Sequence, residues 1–308
     1  MRQSSALKKT RERSFSVLTC AAITVFVCSC SNRVHVVPDI GDEDIPVTIR
    51  VTSLEQEPFG PIGTKGVASL SDACSVINFA IYKGTGEKPD KTQVNQTKDS
   101  ESFGTLNLRL EEGEYHLVVL AHSCSGNPTM TNPSKIEFGT SSNKRITDTF
   151  MYSSALTVSK DMQTLNINLD RVVGKFELSL TEDSVPSSVT RIDFDVTGGS
   201  FYLNSYTGCG MPSSSKYTDK VKVQPGDKVI ELYTFVGEGV TSLSKLAMSA
   251  KDSEGQEVKR LLLENVPIAR NRITRYKGVF FGKEPVNAGV LISLNSDWAG
   301  TDEYPFNN

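Results

Sequence analysis

The sequence predicts an all-β protein built as two tandem antiparallel β-sandwiches. Three observations predict it. Apolar residues recur at every second position, as in Val47-Thr-Ile-Arg-Val-Thr-Ser-Leu54, where Val47, Ile49 and Val51 share one face and Thr48, Arg50 and Thr52 the other. The runs are short and are separated by turn clusters such as Gly84-Thr-Gly-Glu-Lys-Pro89 and Glu112-Gly113-Glu114. No long segment combines helical periodicity with a cap, and helical character is expected in short loop turns at most, for instance around Ser69–Cys74.

Taken in order, a first sandwich over 47–169 uses strands near 47–54, 76–82, 105–110, 115–121, 135–138, 146–157 and 163–169. Ile77-Asn-Phe-Ala-Ile81, Leu106-Asn-Leu-Arg-Leu110 and Leu165-Asn-Ile-Asn-Leu169 repeat the alternation and read as strands with one face in water. A second sandwich over 170–308 uses 172–180, 190–197, 200–204, 219–224, 228–236, 245–251, 257–263, 273–281 and 288–294. The two meet near Asp170, where strand-like runs follow each other with almost no linker, so closely abutting domains are expected.

Ahead of the strands lies an address. A basic head (Lys8, Lys9, Arg11, Arg13) precedes an apolar run from Phe15 to Val27, then Cys28-Ser29-Cys30. This reads as a lipoprotein signal over 1–29. Cys30 is the expected lipidated residue, because Ser29 and Cys28 before it are small, whereas Cys28 follows the bulky Val27. Phe15–Ser29 is shorter than the ~20 apolar residues needed to cross a bilayer. Several acyl chains on one residue satisfy the need for more than one membrane signal. Residues 30–46, with Pro38, Pro46 and acids between Asp39 and Asp44, read as a tether.

The net charge of the whole chain is −3. Residues 1–29 hold five basic side chains and one acid, so the remainder is still more acidic. That speaks against a nucleic-acid partner, which needs a basic stripe. Beyond the signal, Cys74, Cys124 and Cys209 are an odd set; a Cys74–Cys124 bridge and three unpaired thiols are both open. His116 and His122, six apart along one strand, are too distant to share a metal. Asp193 and Asp195 lack the glycine of a calcium loop. There is no Gly-x-Ser-x-Gly elbow, phosphate loop or His-Glu-x-x-His. The reading is a protein without enzyme activity, cofactor or metal.

Some residues carry two readings each. Arg171 and Lys175 alternate with Val173 and are either a salt bridge between domains or subunits, or a solvated strand face. Trp298 reads as core more readily than as a binding platform, and Tyr304 and Phe306 as a C-terminal tip that either plugs into a neighbour or frays or docks on its own domain.

Four stretches resemble one known family. Leu169-Asp-Arg-Val-Val-Gly-Lys-Phe-Glu-Leu178 resembles the Leu-x-Arg-x-Val-(Ala/Gly)-Lys strand that opens the second domain of Bacteroidetes fimbrial subunits. Gly113-Glu-Tyr-His-Leu-Val-Val-Leu-Ala-His122 is similar to their Gly-x-Tyr strand. Asn271-Arg-Ile-Thr-Arg-Tyr-Lys-Gly-Val-Phe280 is similar to their late Asn-x-hydrophobic-Thr strand. Leu291-Ile-Ser-Leu-Asn-Ser-Asp-Trp298 resembles their closing strand. The family is the fimbrillin-like group of type V pili, which includes the lipoprotein fimbrial anchors. The resemblance implies two transthyretin-like sandwiches and a cell-surface place on the outer membrane and in the fimbrium. It implies other fimbrial subunits as partners, a host or bacterial surface receptor, and assembly by strand donation to an open sheet edge.

In that family, shaft subunits lose their first strand by cleavage after an Arg, whereas anchors keep it. Here Arg33 lies too near the lipid, Arg50 sits inside the first strand, and Lys65 has the wrong side chain for such a cut. The resemblance therefore implies an unprocessed anchor or accessory subunit, with Arg50 and Lys65 as the candidate processing positions. Two rival classes are a glycan-binding surface lipoprotein, with Tyr202, Tyr206 and Tyr217 as its aromatic platform, and a glycoside hydrolase, which needs two carboxylates across a cleft.

Overall fold

A computed structural model describes residues 44–54, 69–84, 88–139, 145–162, 164–181, 184–211, 216–239 and 241–282, with the backbone of 291–295 and 304–305. Cys30, Lys65, Trp298 and Phe306 lie outside the described residues. Residues 39–308 group into one compact unit.

In chain order the strands are β1 (Ile45–Leu54), β2 (Val76–Lys83), β3 (Asp90–Thr97), β4 (Thr105–Leu110), β5 (Gly113–His122), β6 (Ile136–Glu137), β7 (Thr149–Val158) and β8 (Leu165–Arg171). There follow β9 (Val173–Leu180), β10 (Arg191–Thr197), β11 (Tyr202–Asn204), β12 (Cys209–Gly210), β13 (Tyr217–Lys222), β14 (Val229–Phe235), β15 (Thr241–Lys251), β16 (Glu257–Ile268), β17 (Ile273–Gly278), β18 (Leu291–Asn295) and β19 (Tyr304–Pro305). The single short helix among the described residues, α1 (Leu70–Ala73), is the expected turn. Its start is closed by the Ser69 amide, which donates to Asp72.

The first eight strands, apart from β6, form a sheet in the order β3-β2-β5-β7-β8-β1-β4. The sheet folds over at a short β7–β8 ladder, Phe150↔Arg171 and Met151↔Asp170. Its two wings enclose one core. Ile45, Val47, Ile49, Val51, Leu106, Ile167 and Leu169 come from one side, and Ile77, Phe79, Ile81, Leu117, Val119 and Phe150 from the other. The later strands make two further sheets, β13-β10-β15-β16 and β14-β9-β17-β18-β19. A second core lies between them, built on Phe176, Phe194, Leu232, Leu246 and Tyr276. The β-sandwich class predicted from alternation is the class observed.

A third core joins the halves. It draws Ala80, Tyr82, Val118, Leu120 and Met151 from the outer face of the first sandwich, and Phe138, Leu203, Phe235 and Ile273 from around it. Across it, β6 pairs with β11, a strand from the later half. This core corrects the expectation of half-solvated strands. Seven of the eight residues of β2 are buried, because both of its faces are covered. Two pairings are parallel, β1 with β8 and β17 with β9, where antiparallel neighbours were expected. β3, β12 and β19 were not anticipated. The abrupt meeting of strands near Asp170 is observed: only Val172 separates β8 from β9.

Candidate functional site

β1 fills a slot. On one side it pairs antiparallel with β4, from Ile45↔Leu110 to Arg50↔Thr105. On the other it runs parallel to β8, from Ile49↔Leu165 to Leu54↔Leu169, with a bulge between Val51 and Ser53. Ile45, Val47, Ile49 and Val51 point into the core, and burying each stabilises the fold by roughly 2 kcal/mol. On the outer side Thr48 donates to Asn107 at 2.8 Å, and Thr52 and Ser53 each donate to the Asn168 side chain at 2.7 Å. Among the described residues β4 joins this sheet through β1 alone, so a strand must occupy the slot to keep β4 in the sheet. Without β1, the facing edges of β4 and β8 would offer backbone groups and an apolar floor to an incoming strand. Gly104, at the β4 entry, approaches closely: its carbonyl accepts from the Val51 amide at 2.8 Å. A Cβ there would meet Leu70 at 2.5 Å, and its φ of +85° suits glycine.

Arg50 lies at the middle of this strand. Its side chain is exposed, while its backbone is laddered to Thr105 and Asn166. Cutting after it would divide the strand between two ladders.

The residues of the β8–β9 junction organise the joint. Arg171 is buried, not on a solvated face. Its guanidinium grips Asp148 through two bonds, of 2.7 and 2.9 Å, and donates to the Asn271 side chain at 2.9 Å. It also lies 4.7 Å from the centre of the Phe150 ring. Asn271 adopts φ +56°, and its amide donates to the Val173 carbonyl at 2.9 Å. Two stretches singled out in the sequence, the Arg-x-Val-Gly-Lys run and the Asn-x-hydrophobic-Thr run, therefore touch each other. Between them, Gly174 permits close approach: a Cβ would sit 2.7 Å from the Ala269 carbonyl oxygen. Lys175 is also buried, on β9, and pairs within the chain with Glu177 at 3.3 Å and with Glu231. Burial raises the Glu177 carboxyl's pKa, but Arg275 and Lys175 outweigh it and hold the group below its usual value. The solvated-face reading of Arg171 and Lys175 is thus corrected: both are paired and enclosed.

A buried polar chain on β2 and β5 escaped the sequence reading. His122 is fully enclosed. Its Nδ1 accepts from the Cys124 amide at 3.2 Å, so its Nε2 carries the proton and donates to Asn78 at 2.8 Å. Asn78 in turn donates to Asn95 at 2.8 Å and Asn127 at 2.7 Å. Burial pushes the His122 pKa down to about 4. His116 sits apart, stacked on Tyr206 at 4.5 Å and bonded to Ser153 at 3.1 Å. Both histidines thus serve structural contacts.

The three tyrosines of the glycan reading do not form one platform. Tyr217 is buried and donates to Thr234 at 2.8 Å. Tyr202 packs on Phe201 beneath Lys135. Tyr206 is open, at 57% exposure. The crevice lined by Gly139, Ile146, Phe201, Tyr217, Asp219 and Tyr233 holds one carboxylate, Asp219, and Arg145 binds it at 3.1 Å. Cys74, Cys124 and Cys209 are free thiols. Burial pushes the Cys74 thiol up to about 12, which keeps it protonated and unreactive. Among the described residues no group of three His, Cys, Asp or Glu is placed to hold a metal, and no helix is long and apolar enough to cross a membrane.

Fold and site define an all-β protein of two packed sandwiches whose first described strand plugs a slot between β4 and β8. The chain belongs to the Family of unknown function (DUF6562), whose model matches residues 76–307, from β2 onward. No curated protein matches it. Similar solved structures include a candidate adhesin from Bacteroides thetaiotaomicron, with 13% identity, a TM-score of 0.49, and coverage of 86% of this chain and 99% of that one. A fimbrial assembly protein from Parabacteroides distasonis has 11% identity, a TM-score of 0.41, and coverage of 85% and 98%. The tip fimbrial protein Mfa3 from Porphyromonas gingivalis has 10% identity, a TM-score of 0.39, and coverage of 85% and 100%.

Proposed function

We propose that this chain is a cell-surface fimbrial subunit of the type V pilus class, held on the outer membrane by lipid on Cys30. In this reading it is an anchor or accessory subunit that keeps its first strand. The observation that carries the reading is the placement of β1: a whole strand seated between two others, with four buried apolar side chains and a polar outer face. A slot of that shape is what strand complementation uses, since main-chain bonds supply affinity and alternating side chains supply register. The motif stretches support it by falling on particular strands: β5, the β8–β9 junction, β17 and β18. Arg50, laddered on both sides, supports retention of the strand over its release. Partners are then neighbouring subunits and a surface receptor.

Two measurements test this. N-terminal sequencing of protein recovered from cells is expected to start at Cys30; a start beyond residue 54 would instead indicate a shaft subunit with β1 removed. Cys30→Ala is expected to abolish acyl labelling and release the protein from membranes. Continued labelling and pelleting of that variant would remove the lipid assignment.

A further inference from the structure

We infer that the open edge of β16 is a self-complementary surface through which two copies of this chain pair, antiparallel, about a two-fold axis at Leu262. β16 ends its sheet, with β15 on one side and no strand on the other among the described residues. Proteins normally blunt such an edge, and part of this one is blunted. Asn265 has φ +51° and Pro267 lacks an amide hydrogen, while the ladder slips between Ala250 and Lys251 near the other end. What remains is the straight run Lys259-Arg-Leu-Leu-Leu-Glu264. It exposes Leu262 at 46%, with Val258 at 47% beyond it. Leu261 and Leu263 turn inward, beside an apolar crevice shared with Leu178, Tyr276 and Phe280.

The occupant follows from the charge pattern. Antiparallel pairing about Leu262 sets Leu262 against Leu262 of the second copy. On the same face, Arg260 then stands opposite Glu264, twice by symmetry. On the inner face Leu261 meets Leu263, again twice, beside the crevice. Moving the axis to Leu261 puts Arg260 opposite Leu262 and Val258 opposite Glu264. Moving it to Leu263 puts Leu262 opposite Glu264. This register alone of the three sets Arg260 against Glu264 and each leucine against a leucine, with Lys259 facing the neutral Asn265, and such self-matching is what an isologous contact requires. Within one copy Arg260 meets Glu257 at 3.7 Å, a loose contact, so little of it is given up when Arg260 turns to Glu264 of the other. An interface of one strand pair is small, so the dimer is expected to depend on concentration.

The test uses the full-length chain as recovered from cells. Leu262→Cys places two thiols on the axis and is expected to give a covalent dimer on mild oxidation, seen on a non-reducing gel. Val258→Cys, far from its own copy in this register, is expected to give none. In the Leu262→Cys background, R260E or E264R alone is expected to lower the dimer yield by roughly three- to tenfold, because like charges then face each other. The double change R260E/E264R is expected to restore it. No dimer from Leu262→Cys, or loss in either single variant that the double change fails to restore, overturns the pairing. A cross-link from the Leu262→Cys variant to a different protein overturns it as well and assigns the edge to another strand. These outcomes are independent of the lipid and of the β1 slot.

Discussion

His122 shows how one side chain ties stability to pH. Its ring is enclosed beside Phe138, with Nδ1 accepting from the Cys124 amide and Nε2 donating to Asn78. Burial favours the neutral ring and lowers its pKa from 6.5 to about 4. The unfolded chain takes up a proton near pH 6.5 and the folded one does not. The associated stability is therefore complete above pH 6.5 and is lost as the pH falls toward 4. By linkage the loss is on the order of 3 kcal/mol. Urea unfolding from pH 7 to pH 4 is expected to show this fall in the native protein. In His122→Gln, which keeps a donor for Asn78, the fall should be smaller by about that amount. Equal slopes for the two proteins would remove His122 as the cause. Arg171 makes a related point: the charge is enclosed because two partners, Asp148 and Asn271, meet its forked donors.

Among the elements, β1 divides its labour between faces. Ile49 is fully buried, and the neighbouring Arg50 is exposed. Ile49→Ala is expected to cost about 3 kcal/mol through lost transfer energy and a cavity. Arg50→Ala is expected to change stability by less than about 0.5 kcal/mol. Chemical denaturation of the two variants checks the pair, and similar costs would mean that β1 is not seated as described. This alternation was legible in the sequence because one face of β1 meets water. β2 was only half legible: Ile77, Phe79 and Ile81 announced a core face, but the residues between them, Asn78 and Ala80, gave no sign that a second core covers the other side. β3 was missed because Asp-Lys-Thr-Gln-Val-Asn-Gln-Thr buries a single residue, Gln96, at a sheet edge, and ladder bonds there replace the missing apolar pattern. The parallel partners of β1 and β9 could not be read at all, since alternation fixes a face and not a neighbour. Within the site, Arg171 and Lys175 stood out by spacing. Asn271 stood out as the head of its motif, but its contact with Arg171 did not; Asp148 and the Asn78 chain, polar residues with no periodic signature, became visible only once folding brought distant segments together.

At the scale of the whole molecule, the third core decides whether the two sandwiches behave as one. Phe138 is 1% exposed and packs edge-on to Phe235, with ring centres 5.0 Å apart. Its amide donates to the Phe201 carbonyl at 3.0 Å, continuing the β6–β11 ladder. Nearby, Tyr82 donates to the Met130 carbonyl at 2.7 Å, so the segment between β5 and β7 is fastened to β2 on one side and to β11 on the other. A joint this enclosed should transmit unfolding, because opening it exposes the outer face of β5 and the end of β14 together. Phe138→Ala is expected to cost about 3–5 kcal/mol. Its effect should be shared: amide hydrogen exchange should quicken in β5 and in β14 by similar factors, although the substituted residue belongs to neither. If the joint were mere contact between independent sandwiches, exchange would rise on one side only and β14 would keep its native protection. The comparison of those two strands in a single exchange experiment separates one cooperative body from two that touch.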